Sequence, residues 1–373
     1  MKWCQACVLP NTRPGIVIGA DGVCNACKAS RRKLIDIDWG ARAIAFDQII
    51  ESAKLRSSRF DCVIPVSGGK DSTWQVVKCL ESGLRPLAVT WKTPARTAIG
   101  QRNLNNLVRL GVDHIDWQVN PEVEKKFLLK AFERYGATAI PMHMAMFNIP
   151  LSIAVKFHIP LVVWGENSAF EYGSGGDDSL TGHRLDANWL RYYGVTHGTT
   201  ASDWIDADLT EKHLSSYFGP TDAELDHYSV NAIFLGHYFA WDVVTSLRVA
   251  QAHGFVSSNA PRTGIYNYAD IDDDFISIHH WMKWYKFGIT RSFDNLSLEI
   301  RAGRTTRNHA LEVIKRNGAE RPNQDISKFC AFTGLDQQRF FQIVEAHRNP
   351  EIWHRQGAVW SIRNFIIPDW DWT

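Results

Sequence analysis

The chain has no stretch approaching the ~18 consecutive apolar residues of a membrane-spanning helix. Its opening, MKWCQACVLP, lacks the apolar core of a secretory signal. It also has little net charge: 41 Lys and Arg oppose 40 Asp and Glu, and no long like-charge run occurs. That balance argues against a dedicated nucleic-acid arm or attachment to an anionic bilayer. There is no internal repeat, no low-complexity tract, no H-E-x-x-H and no G-x-x-x-x-G-K-[ST]. The expectation is a soluble, cytoplasmic protein with neither a membrane nor a nucleic acid as partner.

What is present is ordinary globular material. The 373 residues are 45% hydrophobic and include fifteen tryptophans, enough for two or three domains with aromatic cores or pocket walls. Seven cysteines are an odd count, and four of them form two C-x-x-C pairs. With no export signal, that spacing reads as metal binding rather than disulfides.

Cys4-x-x-Cys7 and Cys24-x-x-Cys27 are separated by sixteen residues, the spacing of a Cys4 zinc site. Each pair can turn two sulfurs toward one ion, and four thiolates close a tetrahedron with no open position. The site is therefore structural rather than catalytic. An iron–sulfur cluster uses the same donors and is the alternative.

From about residue 60 the pattern alternates between strand and helix. Strands are expected at 62–66, 86–91, 115–119, 161–164 and 230–235. Helices are expected near 43–55, 72–82, 97–110, 122–135, 143–157 and 242–253. This predicts an α/β fold, a parallel doubly wound sheet with helices on both faces and ligands beyond the carboxyl ends of the strands. Residues 170–228, rich in Gly, Asp, His and Tyr, read as an insertion over that edge, and the last hundred residues read as mainly helical. The expected domains are a zinc knuckle at 1–35, an α/β domain at 40–255 and a helical region at 256–373.

The strongest catalytic signal is Ser67-Gly68-Gly69-Lys70-Asp71-Ser72 between a strand and a helix. Two glycines let the backbone approach an anion, and the helix N-terminus supplies amide donors and positive dipole. Ser67 and Ser72 add hydroxyls, Lys70 offers a charge to phosphates, and Asp71 offers a carboxylate to Mg2+.

This hexapeptide resembles the PP-loop of the N-type ATP pyrophosphatases. That resemblance implies an adenine nucleotide alpha hydrolase-like sheet, with ATP cleaved between its α and β phosphates and a substrate oxygen adenylated. It further implies that Trp91 lies near the adenine and that Gly165-Glu166-Asn167 lie beside the activated centre.

A narrower resemblance rests on the Cys4 knuckle, the PP-loop, Gly165-Glu166-Asn167 and a C-terminal Lys286-Phe287-Gly288, Arg291, Leu298, Gly303 and Thr306-Arg307. Together these are similar to the N-acetyl sugar amidotransferases of surface-polysaccharide (lipopolysaccharide) and flagellin-glycan biosynthesis. This resemblance implies conversion of an acetamido group on a sugar, expected to be nucleotide-linked, to an acetamidino group. Glu166 would orient or deprotonate the incoming nitrogen, and Lys286 and Arg291 would close over the phosphates. The chain departs from that pattern around Ile289-Thr290-Arg291-Ser292, where more basic residues are common. A PP-loop tRNA-thiolation enzyme is the alternative, though near-neutral charge and isolated Cys62, Cys79 and Cys330 speak against it.

Lys2, not cysteine, follows the initiator Met, and none of the three remaining cysteines sits in a Gly-flanked nucleophile turn. Ammonia is therefore expected from a separate glutaminase subunit, with a cyclase-like channel protein as a further partner by resemblance. His279 and His280 read as structural histidines. Glu171, Asp177 and Asp178 read as loop residues, and Arg301, Arg304 and Arg307 as either an anion grip or a solvated face.

Overall fold

The computed structural model describes residues 1–165, 190 and 195–372. Glu166, Asn167, Glu171, Asp177 and Asp178 lie outside the described residues.

Five parallel strands form the sheet: β1 (Cys62–Pro65), β2 (Pro86–Trp91), β3 (Asp113–Trp117), β4 (Leu161–Trp164) and β5 (Asn231–Phe234), in the order β3-β2-β1-β4-β5. Alternate residues feed opposite cores, as a period of two requires. Val63, Leu87, Val89, Val162 and Phe234 face one layer, while Cys62, Ile64, Ala88, Val163 and Ile233 face the other. The first layer is closed by α5 (Pro121–Tyr135) and α6 (Ala139–Phe157). The second is closed by α2 (Trp39–Arg56), α3 (Lys70–Glu81) and α4 (Ala98–Val108). A later helix, α7 (Val243–Ala252), lies against α3.

Local signals set the helix limits. Asp38 caps α2 by accepting from Ala41 N, and Thr97 caps α4 by accepting from Gly100 N. Asn120 caps α5 ahead of Pro121, and Gly136 ends that helix in the left-handed conformation. Pro65 sits at the carboxyl end of the central strand. Ladder bonding resumes beyond it, where Val66 N donates to Val89 O at 2.9 Å. Among the described residues, α6 is long and apolar enough to cross a membrane; here it packs against β1, β2, β4 and α5.

The strand expected at 115–119 runs two residues earlier, at 113–117. Only one of its neighbours is a strand, so Asp113 and Asp116 can stay at the surface while the backbone pairs with β2. From 195 to 228 the insertion is anchored, with Trp204, Leu209, Leu214, Tyr217 and Leu225 buried in the layer under α5 and α6.

The C-terminal region contains α8 (Ile276–Phe287), α9 (Arg291–Arg301), α10 (Arg307–Asn317), α11 (Asn323–Thr333) and α12 (Gln337–Ala346). A hairpin of β6 (Trp353–Gln356) and β7 (Val359–Ile362) follows. The N-terminal residues, with α1 (Asn25–Asp36), have no apolar core of their own. Cys4, Cys7, Leu9, Ile16, Cys24 and Cys27 belong to the same buried cluster as Trp284, Phe293 and Phe365. Three polar ties lock that docking: Trp3 Nε1 to Asn364 O (3.0 Å), Thr12 Oγ1 to Phe287 O (2.7 Å) and Arg307 Nε to Cys7 O (3.1 Å).

Candidate active site and metal centre

In a 3-2-1-4-5 order the strand sequence reverses between β1 and β4, so the loops leaving these strands diverge and open a crevice. The loop after β1 is Ser67–Gly69. Gly68 adopts φ +87, and a Cβ there would lie 2.5 Å from Leu104 N on α4, so only glycine fits. Gly69 begins α3 with no side-chain cap, which leaves first-turn amides available to an anion. The Ser72 and Thr73 hydroxyls donate back to Gly69 O, each at 3.0 Å, and hold the loop closed.

Lys70 is buried. Its Nζ bonds both Asp71 carboxylate oxygens at 2.7 and 2.8 Å, and lies 5.1 Å from the Trp241 ring and 5.8 Å from that of Tyr268. Trp241 Nε1 donates to Asp71 Oδ1 at 3.0 Å. The expected pair of charges is thus clamped together, with Asp71 lining the crevice while Lys70 does not line it.

The crevice holds about 460 Å³. Ser67, Asp71, Ser72, Trp91, Gly165 and Arg291 all line it, drawn from three strand ends and from α9. One side is apolar, made by Met146, Phe147, Pro150 and Trp164, with the Phe147 and Trp164 rings 4.8 Å apart. Gly165 leaves room for Gln75, whose side chain would stand 2.7 Å from a Cβ there. Trp164 Nε1 is buried without a hydrogen-bond partner among the described residues. An apolar wall with an unspent donor, opposite uncapped helix amides, fits a heterocyclic base carrying phosphates. Lys286 does not line the crevice. Its Nζ bonds Tyr135 O at 2.9 Å, and burial, then the neighbouring Lys283, brings its pKa down to about 8.

The sequence reading passed over Asp270, Asp272 and Asp273, which also line the crevice. Asp270, at φ +57, accepts from Thr263 Oγ1 (2.5 Å) and pairs with His280 Nε2 (3.2 Å) and Arg291 Nε (3.4 Å). Burial opposes its ionisation, yet His280 and Arg291 hold it well below the usual carboxylate range. Burial pushes Asp272 up against the pull of the Ser67 hydroxyl. Asp273 is pushed up to about 6 by burial, against bonds from Thr93 Oγ1 (2.8 Å) and Phe275 N (2.7 Å). These carboxylates reach the loop because Gly100 on α4 admits the Asp272 backbone, whose Cα would stand 2.7 Å from any Cβ at 100. In sequence the run D-I-D-D-D looks like a solvated turn. Nothing local marks it as lining a site.

His280 is buried and His279 half-buried, and burial lowers the pKa of both. Arg304 pairs with Glu299 and Asp242 at 2.6 Å each, and Arg307 serves the knuckle.

At the knuckle, the four sulfurs of Cys4, Cys7, Cys24 and Cys27 lie within 4.8 Å of one another and all four residues are buried. The Cys7–Cys24 sulfur separation is 3.8 Å, the edge of a tetrahedron with metal–sulfur bonds of about 2.3 Å. Backbone amides of Cys7 and Cys24 donate to Cys4 Sγ at 3.4 and 3.2 Å, and Cys27 N donates to Cys24 Sγ at 3.4 Å. Such amides orient thiolates around a metal. The donor set and spacing fit zinc.

Residues 263–366 match a family model described as LPS biosynthesis protein WbpG-like, C-terminal domain. Among curated proteins, none matches the chain. Among solved structures, NMN synthetase from Francisella tularensis is similar with a TM-score of 0.36 and 12% identity, covering 82% of this chain and 97% of that one.

Proposed function

We propose that this chain is an ATP-dependent, AMP- and pyrophosphate-forming amidotransferase that converts an acetamido group of a sugar to an acetamidino group in surface-glycan biosynthesis. The observation that carries it is the uncapped Gly68-Gly69 loop opening onto one crevice with Trp91, Gly165 and Arg291. The C-terminal match to a lipopolysaccharide-biosynthesis domain supports the glycan context.

An amide carbon resists nucleophiles because the nitrogen lone pair delocalises into the carbonyl. Attack of the amide oxygen on the α-phosphorus of ATP expels pyrophosphate and leaves an O-adenylyl imidate. Ammonia then adds to the carbon, and the C–O bond breaks with its electron pair departing on AMP. The chain's share is positioning and charge stabilisation. The α3 amides receive pyrophosphate, and the apolar wall of Phe147 and Trp164 holds the base. Asp270 and Asp294 fix Arg291 at the rim. Asp71 and Asp272 face the crevice as the residues that would hold Mg2+, which supplies charge neutralisation on the phosphates. Glu166 and Asn167, outside the described residues, would lie beside the activated carbon, whereas Lys286, held at Tyr135 O away from the crevice lining, is given no role on the phosphates.

Cys62, Cys79 and Cys330 are all buried, and burial pushes Cys62 and Cys330 up, which does not suit a glutaminase or thiolation nucleophile. A separate glutaminase, with a cyclase-like channel protein, would supply the ammonia. The acceptor would be a nucleotide-linked N-acetyl sugar and the compartment the cytoplasm, where ATP is available.

The test is mass spectrometry of ATP turnover with ammonium chloride and diacetamido nucleotide sugars. AMP, pyrophosphate and a product with NH in place of an amide oxygen are expected. ADP as product, or AMP formed only with tRNA, would overturn the reading.

A further inference from the structure

Beside the crevice lies a second, much smaller space of about 20 Å³, the room of a single water-sized molecule. It shares Trp91, Thr93, Met142, Asp273 and Ile276 with the crevice wall and adds Glu124, from the first turn of α5. Glu124 is 3% exposed, and its Oε1 has no hydrogen-bond partner among the described residues. The Trp91 indole N–H faces this carboxyl but falls short of a hydrogen bond, so Trp91 Nε1 is buried and unpartnered as well. A buried polar atom left without a partner is destabilising. An unpartnered Glu124 oxygen at a water-sized space indicates an occupant that donates a hydrogen bond to it, while the Trp91 N–H stays directed at the Glu124 carboxyl.

We propose that this chamber is the binding site of the nitrogen nucleophile, taking ammonium from solvent or a donor protein and presenting ammonia to the adenylated substrate. The inference rests on the amidotransferase reading and locates its second substrate.

Three features favour ammonium over an ordinary structural water. Two carboxyls, Glu124 and Asp273, share one small space, which suits a cation better than a neutral molecule. Asp273 has its oxygens oriented by Thr93 Oγ1 and Phe275 N, so its charge is fixed toward its surroundings. The chamber also meets the crevice at Trp91, at the end of a strand adjacent to β1, whose following loop would hold ATP.

Burial, then the charge of Asp273, lifts Glu124 to about 8, and burial lifts Asp273 to about 6. At neutral pH the pair therefore carries close to one negative charge, the complement of one ammonium. The ion leaves one proton on this pair. The freed nitrogen lone pair forms the C–N bond, the imidate C–O bond breaks and AMP takes its electrons. The three N–H hydrogens remain on the amidinium product, and the proton held by the pair returns to solvent.

The experiment uses the full chain with ammonium chloride at saturating ATP and acceptor sugar. Glu124→Gln keeps the side chain's size and removes an ionisable oxygen. It should raise KM for ammonium about tenfold while KM for ATP stays the same. The wild-type chain should reject methylammonium, and Glu124→Ala should admit it, giving an N-methylamidine visible by mass spectrometry.

An ammonium KM that Glu124→Gln does not move, or wild-type chain that uses methylammonium as well as ammonium, would overturn the assignment and leave the chamber to a structural water. A wild-type chain that forms no amidine at all would instead overturn the amidotransferase reading, and this inference with it.

Discussion

Arg13 Nε sits 2.6 Å from Asp294 Oδ1, joining the cysteine knuckle to the helix that carries Arg291 into the crevice. Asp294 is 1% exposed and also receives Lys283 at 2.9 Å and Arg291 at 3.8 Å. One buried carboxylate thus balances three cations drawn from the knuckle, α8 and α9.

Asp294→Asn should destabilise the chain by about 3–5 kcal/mol, because it strands buried cations rather than merely deleting an attraction. Burial opposes ionisation of Asp294, but Arg13, Lys283 and Arg291 hold its pKa well below the usual value. A lowered carboxylate pKa contributes stability that is complete above the unfolded value, ~3.9, and is lost as pH falls below it. Urea unfolding at pH 7 and in acid checks both points: the gap between wild type and variant should narrow only below about pH 4.

Metal analysis should find zinc at one site per chain, with no visible iron–sulfur absorbance. Cys7→Ser, or prolonged chelation, should lower the melting temperature of the whole C-terminal region. The sulfurs are buried in the same cluster as Trp284 and Phe293, so the loss should exceed the ~0.5–3 kcal/mol of an ordinary substitution. Tryptophan fluorescence follows this directly. A melting curve unmoved by zinc removal would refute the shared core.

Gly68→Ala asks a residue with a Cβ to hold φ +87 within 2.5 Å of Leu104 N. Strain of about 1–3 kcal/mol is expected, relieved by displacing the loop. AMP formation should fall about a hundredfold or more, while circular dichroism stays native. Retention of full activity would remove the loop from the mechanism.

Lys286 supplies a stability prediction in alkali. Its folded pKa of about 8 lies below the unfolded value of ~10.4, so between those pH values the unfolded chain binds more protons. Stability should therefore rise with pH across that window, with a slope contribution approaching about 1 kcal/mol per unit. Lys286→Met, which keeps most of the stem, should flatten that rise in denaturant titrations at pH 8, 9 and 10.

What the sequence determined by itself was whatever short-range chemistry encodes. Strands β1, β2 and β4 were legible as compact apolar runs because they are buried on both faces. The loop was legible because two adjacent glycines before a helix have few other uses, and the metal site because paired cysteines advertise a tetrahedron. Strand β3 was misplaced by two residues, since a strand paired on one side keeps polar residues and loses the apolar signal. The β6–β7 hairpin went unread for a similar reason: His354, Arg355 and Gln356 carry no strand pattern.

Only the tertiary structure decided what depends on distant segments meeting. Asp270–Asp273 became part of the crevice because Gly100 lets that backbone approach α4, and neither segment announces the other. Glu124 reads in sequence as an ordinary acid favouring a helix N-terminus. Its chemistry arises from being covered by Trp91, Thr138 and Asp273, which removes water and shifts its protonation. The knuckle likewise looked like a separate module until its apolar side chains proved to be part of the C-terminal core. Periodicity and spacing record what a residue does with its neighbours in the chain, whereas burial and charge pairing are set by neighbours in space.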